Sequence, residues 1–211
     1  MNLAPSTPSR PYAALASRLF AALLAACTLI CLATLVLLLW NIVAYGWERV
    51  SFDFINRYPS GSAEKAGIKS SLVGSIYLIF LTALFSVPIG VGTAIYLEEY
   101  CPPSGWRSLV QTNIANLAGV PSIVYGILGL GLFVRAMQLN RSVVAGALTL
   151  TLVVLPIVIL AAQEALRAIP DTIRTASYAL AASRWQTVRL QLLPAALPGI
   201  LTGVILALSR A

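Results

Sequence analysis

Two places in this sequence carry side chains that could do chemistry: a polar stretch at residues 164–194 and a single arginine, Arg210, inside a long apolar segment. The polar stretch reads EALRAIPDTIRTASYALAASRWQTVRLQLLP and holds Glu164, Arg167, Asp171, Arg174, Arg184 and Arg189. Its apolar residues Ile169, Ile173, Ala176 and Leu180 keep a helical period, and Asp171 and Thr172 after Pro170 form a helix start. The stretch predicts one or two short amphipathic helices between two membrane spans. Such a helix can lie on lipid, pack on its own bundle or dock into a soluble partner, and the residues leave all three open. Counted from Pro194 or Pro198, in the first turns of a fifth span starting near Leu190, Arg210 is about 12–16 residues, or about 18–24 Å, into the helix. A charge at that depth costs at least about 2.5–3.5 kcal/mol unless it meets water or a counter-ion. The side chain can snorkel, or the end of the chain can be unstructured. A guanidinium can also hold two oxygens of an anion while staying charged at any working pH.

The elements that must position these groups are membrane helices. The chain has 211 residues, 59% hydrophobic and only 10% charged, a polytopic membrane composition. The net charge of +7 is scattered between apolar runs, so it flanks spans and forms no nucleic-acid stripe. There is no histidine. Cys27 and Cys31 lie on an apolar run and Cys101 beside Pro102, a pattern that favours neither a metal site nor a disulfide. The first four spans contain no Asp, Glu, His, Lys or Arg, and hydroxyls such as Ser86, Thr93, Ser122 and Thr151 have no base in the same spans. Intramembrane catalysis needs such groups, so an enzyme is disfavoured. No glycine-rich phosphate loop with Lys-Ser/Thr occurs, which argues against an ATPase.

In order, a Pro/Ser-rich tail of residues 1–18 precedes a first span within residues 19–47, too long for a signal peptide. Trp40, Tyr45 and Trp47 fit an interfacial belt at its far end. A polar loop covers residues 48–69. A second span lies in 70–97 with Pro88 inside it, a third in 108–134, and a fourth in 142–163 with Pro156. A tight loop spans 135–141, and the fifth span runs from near Leu190 to the end. Interior prolines are tolerated in membranes, where neighbours satisfy the freed carbonyls. Ala115 with Gly119, Ser122 with Gly126, and Gly199 with Gly203 are small pairs that let helices approach closely. The basic residues on the two sides differ in number by one, so charge counting does not set orientation.

Within the polar stretch the frame Thr175-Ala176-Ser177, three residues, Ala181, nine residues, Gln191, one residue, Leu193-Pro194 resembles the "EAA" loop of type I ABC-importer permeases. The spacing is kept, while Thr175, Ser177, Ala181 and Gln191 depart from the usual residues. Further words are similar to the A-type permease of the phosphate-specific branch: Tyr178-Ala179-Leu180, Arg184-Trp185-Gln186-Thr187-Val188, and the word from Leu193 to Ile200. Residues 113–126 (NIANLAGVPSIVYG), 92–100 (GTAIYLEEY) and 146–150 (GALTL) belong to the same set. Together they cover residues 68–211.

The resemblance implies an all-α polytopic bundle with five transmembrane helices here and six in a complete member, so that the chain reads as C-terminally incomplete. It implies two segments: 1–69, comprising the tail, first span and external loop, and 70–211, the transporter domain with a cytoplasmic coupling loop at 164–189. The expected function is a permease subunit of an ATP-driven importer of inorganic phosphate in the bacterial inner membrane, N-terminus inside. Its implied partners are a second, C-type permease subunit, a dimer of ATP-binding subunits that holds ATP and Mg, an external phosphate-binding protein, and membrane lipid. No cofactor, metal or nucleic acid is expected on this chain. Arg174, Thr175, Ala176, Ser177, Tyr178, Ala179, Leu180, Ala181 and Ala182 are the implied ATPase-coupling residues, and Arg210 the implied substrate-path residue. Ala181 stands where the family has a glycine. Either the chain turns left-handed there, at a cost of about 1 kcal/mol for alanine, or the helix continues through it. The competing readings are a permease for another oxyanion such as sulfate or molybdate, and a non-transporting sensing or structural membrane protein.

Overall fold

The computed structural model describes residues 11–47, 50–62 and 65–210. The tail up to Arg10, and with it Glu48, Arg49, Glu64 and Ala211, lies outside the described residues. Every regular element described is helical.

Backbone contacts divide the chain into two units, Met1–Lys69 and Ser70–Ala211. In the first, α1 (Pro11–Gly46) is apolar on all sides, and residues 15–44 are exposed throughout. A helix that is apolar all round belongs in lipid or a core, and its apolar stretch Leu15–Gly46 exceeds the roughly 20 residues a span needs. A short helix, α2 (Phe52–Asn56), follows, capped by Ser51.

The second unit begins with α3 (Lys69–Ile95), which runs straight through Pro88 and closes in a π-helical turn, Tyr96–Tyr100. Then come α4 (Gly105–Ala118) and α5 (Ser122–Gly129), the latter extended by a π-helical turn, Leu130–Ala136. Next is α6 (Val143–Arg167), followed by the short helices α7 (Asp171–Ala179) and α8 (Arg184–Thr187). A third π-helical turn, Val188–Leu192, joins α8 to α9 (Leu193–Leu208). Among the described residues four helices are long and apolar enough to cross a membrane, five if the bent pair α4–α5 counts as one span. The chain is therefore a multi-pass membrane protein.

Two expectations need correction. The third span is not one helix: α4 and α5 meet at 96°. Gly119 and Val120 donate to the carbonyls of Asn116 and Leu117 in a closing turn, and Pro121 has no N–H with which to continue. The fifth span starts at Arg184 rather than near Leu190, because α8, the π turn and α9 are continuous over 25 residues. That is about 38 Å of helix against a hydrocarbon layer of about 30 Å, so the turns carrying Arg184 and Arg189 can stand outside it.

The core lies between α6 and the fifth span. Val154, Val158, Ala162 and Leu166 form one i,i+4 stripe on α6. Val188, Leu192, Ala196, Ile200 and Val204 form the facing stripe, unbroken through the π turn. Beside these stripes the backbones approach closely: a Cβ added at Gly203 would stand 2.5 Å from Ala161 Cβ, and one at Gly199 3.0 Å from Ala165 Cβ. The Gly199/Gly203 pair is thus a contact between helices. Gly126 has open space where its Cβ would be, and Gly119, at the bend, meets only the Asn116 carbonyl, so neither is a close contact between helices. Two of the span hydroxyls serve the backbone. Thr151 donates to the Ala147 carbonyl at 2.8 Å, and Thr93, on an exposed face, donates to that of Ile89 at 2.7 Å.

This packing makes a prediction. Gly203→Ala overpacks the α6–α9 seam and destabilises the bundle by about 1–3 kcal/mol. Combining it with Ala161→Gly recovers most of the loss, read as thermal aggregation of the detergent-solubilised protein. Equal stability of Gly203→Ala and wild type would show that the seam is looser than described.

Candidate functional site

The α6–α9 connection is built by local rules. Pro170 ends the α6 exit and pre-sets the start of α7, whose first-turn Asp171 faces the positive helix end. At the other end Ala181 has φ of 60°. The Ala182 N–H donates to the Ser177 carbonyl at 3.2 Å and the Ala181 N–H to that of Tyr178 at 2.9 Å. This 6→1 and 5→2 pair is a Schellman cap with alanine in the left-handed position. Of the two possibilities at Ala181, the chain takes the turn and does not continue the helix. Ser183 then caps α8 reciprocally: its hydroxyl accepts from the Gln186 N–H at 3.3 Å, and the Gln186 side chain accepts from the Ser183 N–H at 2.8 Å. The hydroxyls of Ser177 and the buried Thr187 lie 2.8 Å apart and pin α7 to α8.

The amphipathic stripe divides between two of the fates open to it. Ile169 is buried and Ile173 packs on the core, whereas Leu180 is 85% exposed. Tyr178 and Trp185 of the same hairpin are exposed as well, and the three side chains are together called its apolar ridge. Below the ridge a cavity of about 330 Å³ opens between Ile173, Ala176 and Leu180 on one side and Gln186, Leu190 and Gln191 on the other. Thr175, Ala176, Ala179 and Ala181 are exposed, and Ser177 and Ala182 are half-buried.

Arg174 is the exception among the expected coupling residues, because it turns inward. Its Nε and Nη2 donate to Glu99 Oε1 at 3.1 and 2.9 Å. Nη2 also reaches the Leu166 carbonyl at 3.0 Å, and Nη1 reaches the Ile169 carbonyl and Asp171 at 3.0 Å each. Burial works against its charge, but the Glu99 hydrogen bond and the Glu99 and Asp171 carboxylates outweigh this and raise its pKa above the ordinary arginine value.

Glu99 is half of a charged cluster not expected from the sequence. Beside it Glu98 accepts from Arg107 Nη2 at 2.8 Å through Oε2. Through Oε1 it accepts from Gln163 at 2.8 Å and from Arg167 Nη2 at 2.7 Å. The side chains of Glu98 and Glu99 are only 9% and 6% exposed. The π-helical turn Tyr96–Tyr100 sends these adjacent carboxylates to different partners. The available signal was two carboxylates closing an apolar run otherwise free of charge.

Arg210 follows the last residue of α9 by two positions, and its N–H donates to the Ala207 carbonyl at 3.3 Å. It lines a cavity of about 220 Å³ with Val120, Ser122 and Tyr125 at the bend and Val153 and Ile157 of α6. The Tyr125 hydroxyl donates to the Leu117 carbonyl at 2.8 Å, tying α5 back to the end of α4. The cavity thus joins a guanidinium and the Ser122 hydroxyl at a break in a span. It shares no lining residue with the α7–α8 cavity.

The described residues thus form a multi-pass bundle of apolar helices with a broken span and an exposed helical hairpin. The chain belongs to the family described as the binding-protein-dependent transport system inner membrane component, whose model matches residues 66–211. It is 39% identical to a probable ABC transporter permease protein of Bacillus subtilis, YqgI, over 87% of this chain and 63% of that protein. It is 37% identical to the phosphate transport system permease protein PstA 1 of Mycobacterium tuberculosis, over 86% of this chain and 60% of that one. With the PstA protein of Haemophilus influenzae the identity is 32%, over 82% and 61%. The chain therefore spans about three fifths of the length of these relatives. It shares the fold of a chain of the MetNI methionine ABC transporter in an inward-facing conformation, with a TM-score of 0.57 and 22% identity over 68% of this chain and 67% of that one.

Glycine at the left-handed cap would relieve the alanine's steric conflict. Ala181→Gly is expected to stabilise the α7–α8 turn by about 1 kcal/mol. Amide hydrogen exchange at Ala181 and Ala182 checks this: slower exchange in the variant is expected, and faster exchange refutes it.

Proposed function

We propose that this chain is a permease subunit of an ATP-driven importer of inorganic phosphate, forming one half of the translocation path. The observation that carries the substrate is the 37% identity to a phosphate permease over 86% of the chain. The geometry supports a mechanism. The exposed ridge of Leu180, Tyr178 and Trp185 docks into a dimer of ATP-binding subunits, which hold ATP and Mg. Ser183 to Gln186 and the left-handed Ala181 present that ridge rigidly. ATP binding closes the partner subunits and displaces the ridge; the helices tilt and open the path outward. An external phosphate-binding protein delivers the anion there, and a second, C-type permease subunit completes the wall. In this reading the N-terminus and the α7–α8 loop are cytoplasmic, the loop before α3 is external, and the membrane is the bacterial plasma membrane.

At the path, Arg210 offers a fixed positive charge and a planar fork matched to two phosphate oxygens, with Ser122 across the same cavity. A cavity at a broken helix suits an anion, because the bend lets polar backbone line water without exposing it to lipid.

Two outcomes test the two halves of this reading in the complete transporter. Leu180→Asp places a charge in the apolar ridge, so the ATP-binding subunit should no longer co-purify with the permease; full retention rules out docking through this ridge. Losing one partner of a charge-assisted pair costs about 2–5 kcal/mol, so Arg210→Gln should lower phosphate uptake at least about thirtyfold without loss of assembly. Arg210→Lys keeps the charge but not the fork and should fall between. Wild-type uptake by the glutamine variant excludes Arg210 from the path.

A further inference from the structure

The charged cluster at the end of α3 does more than neutralise itself. We propose that Glu99 and Arg174 are the joint through which displacement of the α7–α8 loop enters the membrane bundle, and that Glu98 distributes it to α4 and α6. This rests on the reading that the loop docks onto an ATP-binding subunit.

Arg174 clamps three elements at once. It belongs to α7, it holds the Leu166 and Ile169 carbonyls at the exit of α6, and it donates twice to Glu99 at the end of α3. Helix α3 is distant from α7 in sequence, so this fork is a direct polar link between them. The pair is well buried, at 18% and 6% exposure, so water competes weakly for it, and two N–H groups converging on the one oxygen, Oε1, fix direction as well as distance. The next residue carries the link onward. Glu98 binds Arg107 in the first turns of α4 and Gln163 and Arg167 in the last turns of α6. Helix α4 spans 14 residues, a rigid lever of about 21 Å, and it ends at the bend that lines the Arg210 cavity. A continuous physical path therefore runs from Arg174 through Glu99, Glu98 and Arg107 along α4 to the bend. Its links are hydrogen-bonded charges, the backbone between Glu98 and Glu99, and a helix.

The consequence is separable from transport as such. Breaking the joint should leave a transporter that assembles and hydrolyses ATP but moves little phosphate for each ATP consumed. The complete transporter, reconstituted in vesicles with its binding protein, is assayed for phosphate taken up and ATP hydrolysed in parallel. For Glu99→Gln, which keeps shape and removes the charge, we expect the phosphate-to-ATP ratio to fall at least tenfold. Glu99→Asp, which keeps the charge on a shorter stem, should fall less. Arg107→Gln cuts the path one step further on and lies outside α7; the same loss of ratio is expected, and it decides the matter should Glu99→Gln fail to accumulate in the membrane. A wild-type ratio in Glu99→Gln overturns the joint, including the case where uptake and hydrolysis fall together. A wild-type ratio in Arg107→Gln alone overturns the leg through α4. Leu180→Asp keeps the two readings apart: normal assembly in that variant sinks the docking, whereas lost assembly with an intact ratio in Glu99→Gln sinks the joint alone.

Discussion

The close approach of α6 to the fifth span is the contact on which the rest of the second unit depends. In lipid there is little hydrophobic gain from bringing two apolar helices together, so association rests on packing and on the few polar contacts available. Gly199 and Gly203 supply that packing by letting Ala165 and Ala161 meet the opposite backbone. The facing i,i+4 stripes then interlock along the whole seam. Gly90 does the same for α3, where a Cβ would stand 2.6 Å from Val158 Cγ1. Helix α6 is thereby the axis against which α4, α5 and α9 pack, and α3 meets it at Gly90 and Val158. Both functional places are read from that axis: the hairpin leaves its last turn, and the Arg210 cavity opens on Val153 and Ile157 near its middle.

The charged cluster obeys a different rule. Burying Glu98 and Glu99 costs solvation that ion pairing only partly returns, and apolar residues of similar size would hold the helix ends together as well or better. What the charges add is geometry. An apolar contact tolerates sliding, whereas a carboxylate shared between Arg107, Gln163 and Arg167 has one good arrangement. Removing a single partner leaves a buried charge, so the arrangement is all or none. That property suits a joint better than it suits a glue.

How much of this was legible in the sequence depends on range. The spans were, because uncharged apolar runs of this length have few other fates. So were the helix start after Pro170 and the amphipathic period of Ile169 to Leu180. Boundaries set by capping were only partly read. Ser183 with Gln186 three residues on is a capping box and announces the start of the fifth span, but the polar residues Arg184 and Arg189 suggested a loop instead. The bend at Gly119–Pro121 lay within an apolar run long enough to pass for one helix. The ion pairs were beyond reach: Glu98 meets Arg167 and Glu99 meets Arg174 only because packing brings the ends of α3 and α6 together. Nothing local distinguishes Arg174, which turns inward, from Arg184, which stays exposed.

Ala181 shows how the loop and the bundle constrain each other. Alanine is a strong helix former, so local preference argues for continuing α7 through it. Continuing would carry the chain away from the bundle and leave Thr187, Val188 and Leu192 without the seam they fill. Reversal after Leu180 is therefore imposed by packing further along, and the left-handed alanine absorbs the conflict at about 1 kcal/mol. The Schellman bonds and the Ser183–Gln186 box hold the turn once it is made. The result is a short, stiff hairpin that exposes Leu180 and Trp185 while its base is tied by Arg174 and Thr187. A stiff hairpin passes on a displacement applied at its tip; a flexible one would absorb it. The strain at Ala181 and the buried charges at its base thus act on the same loop, and both fix it to the helices beneath.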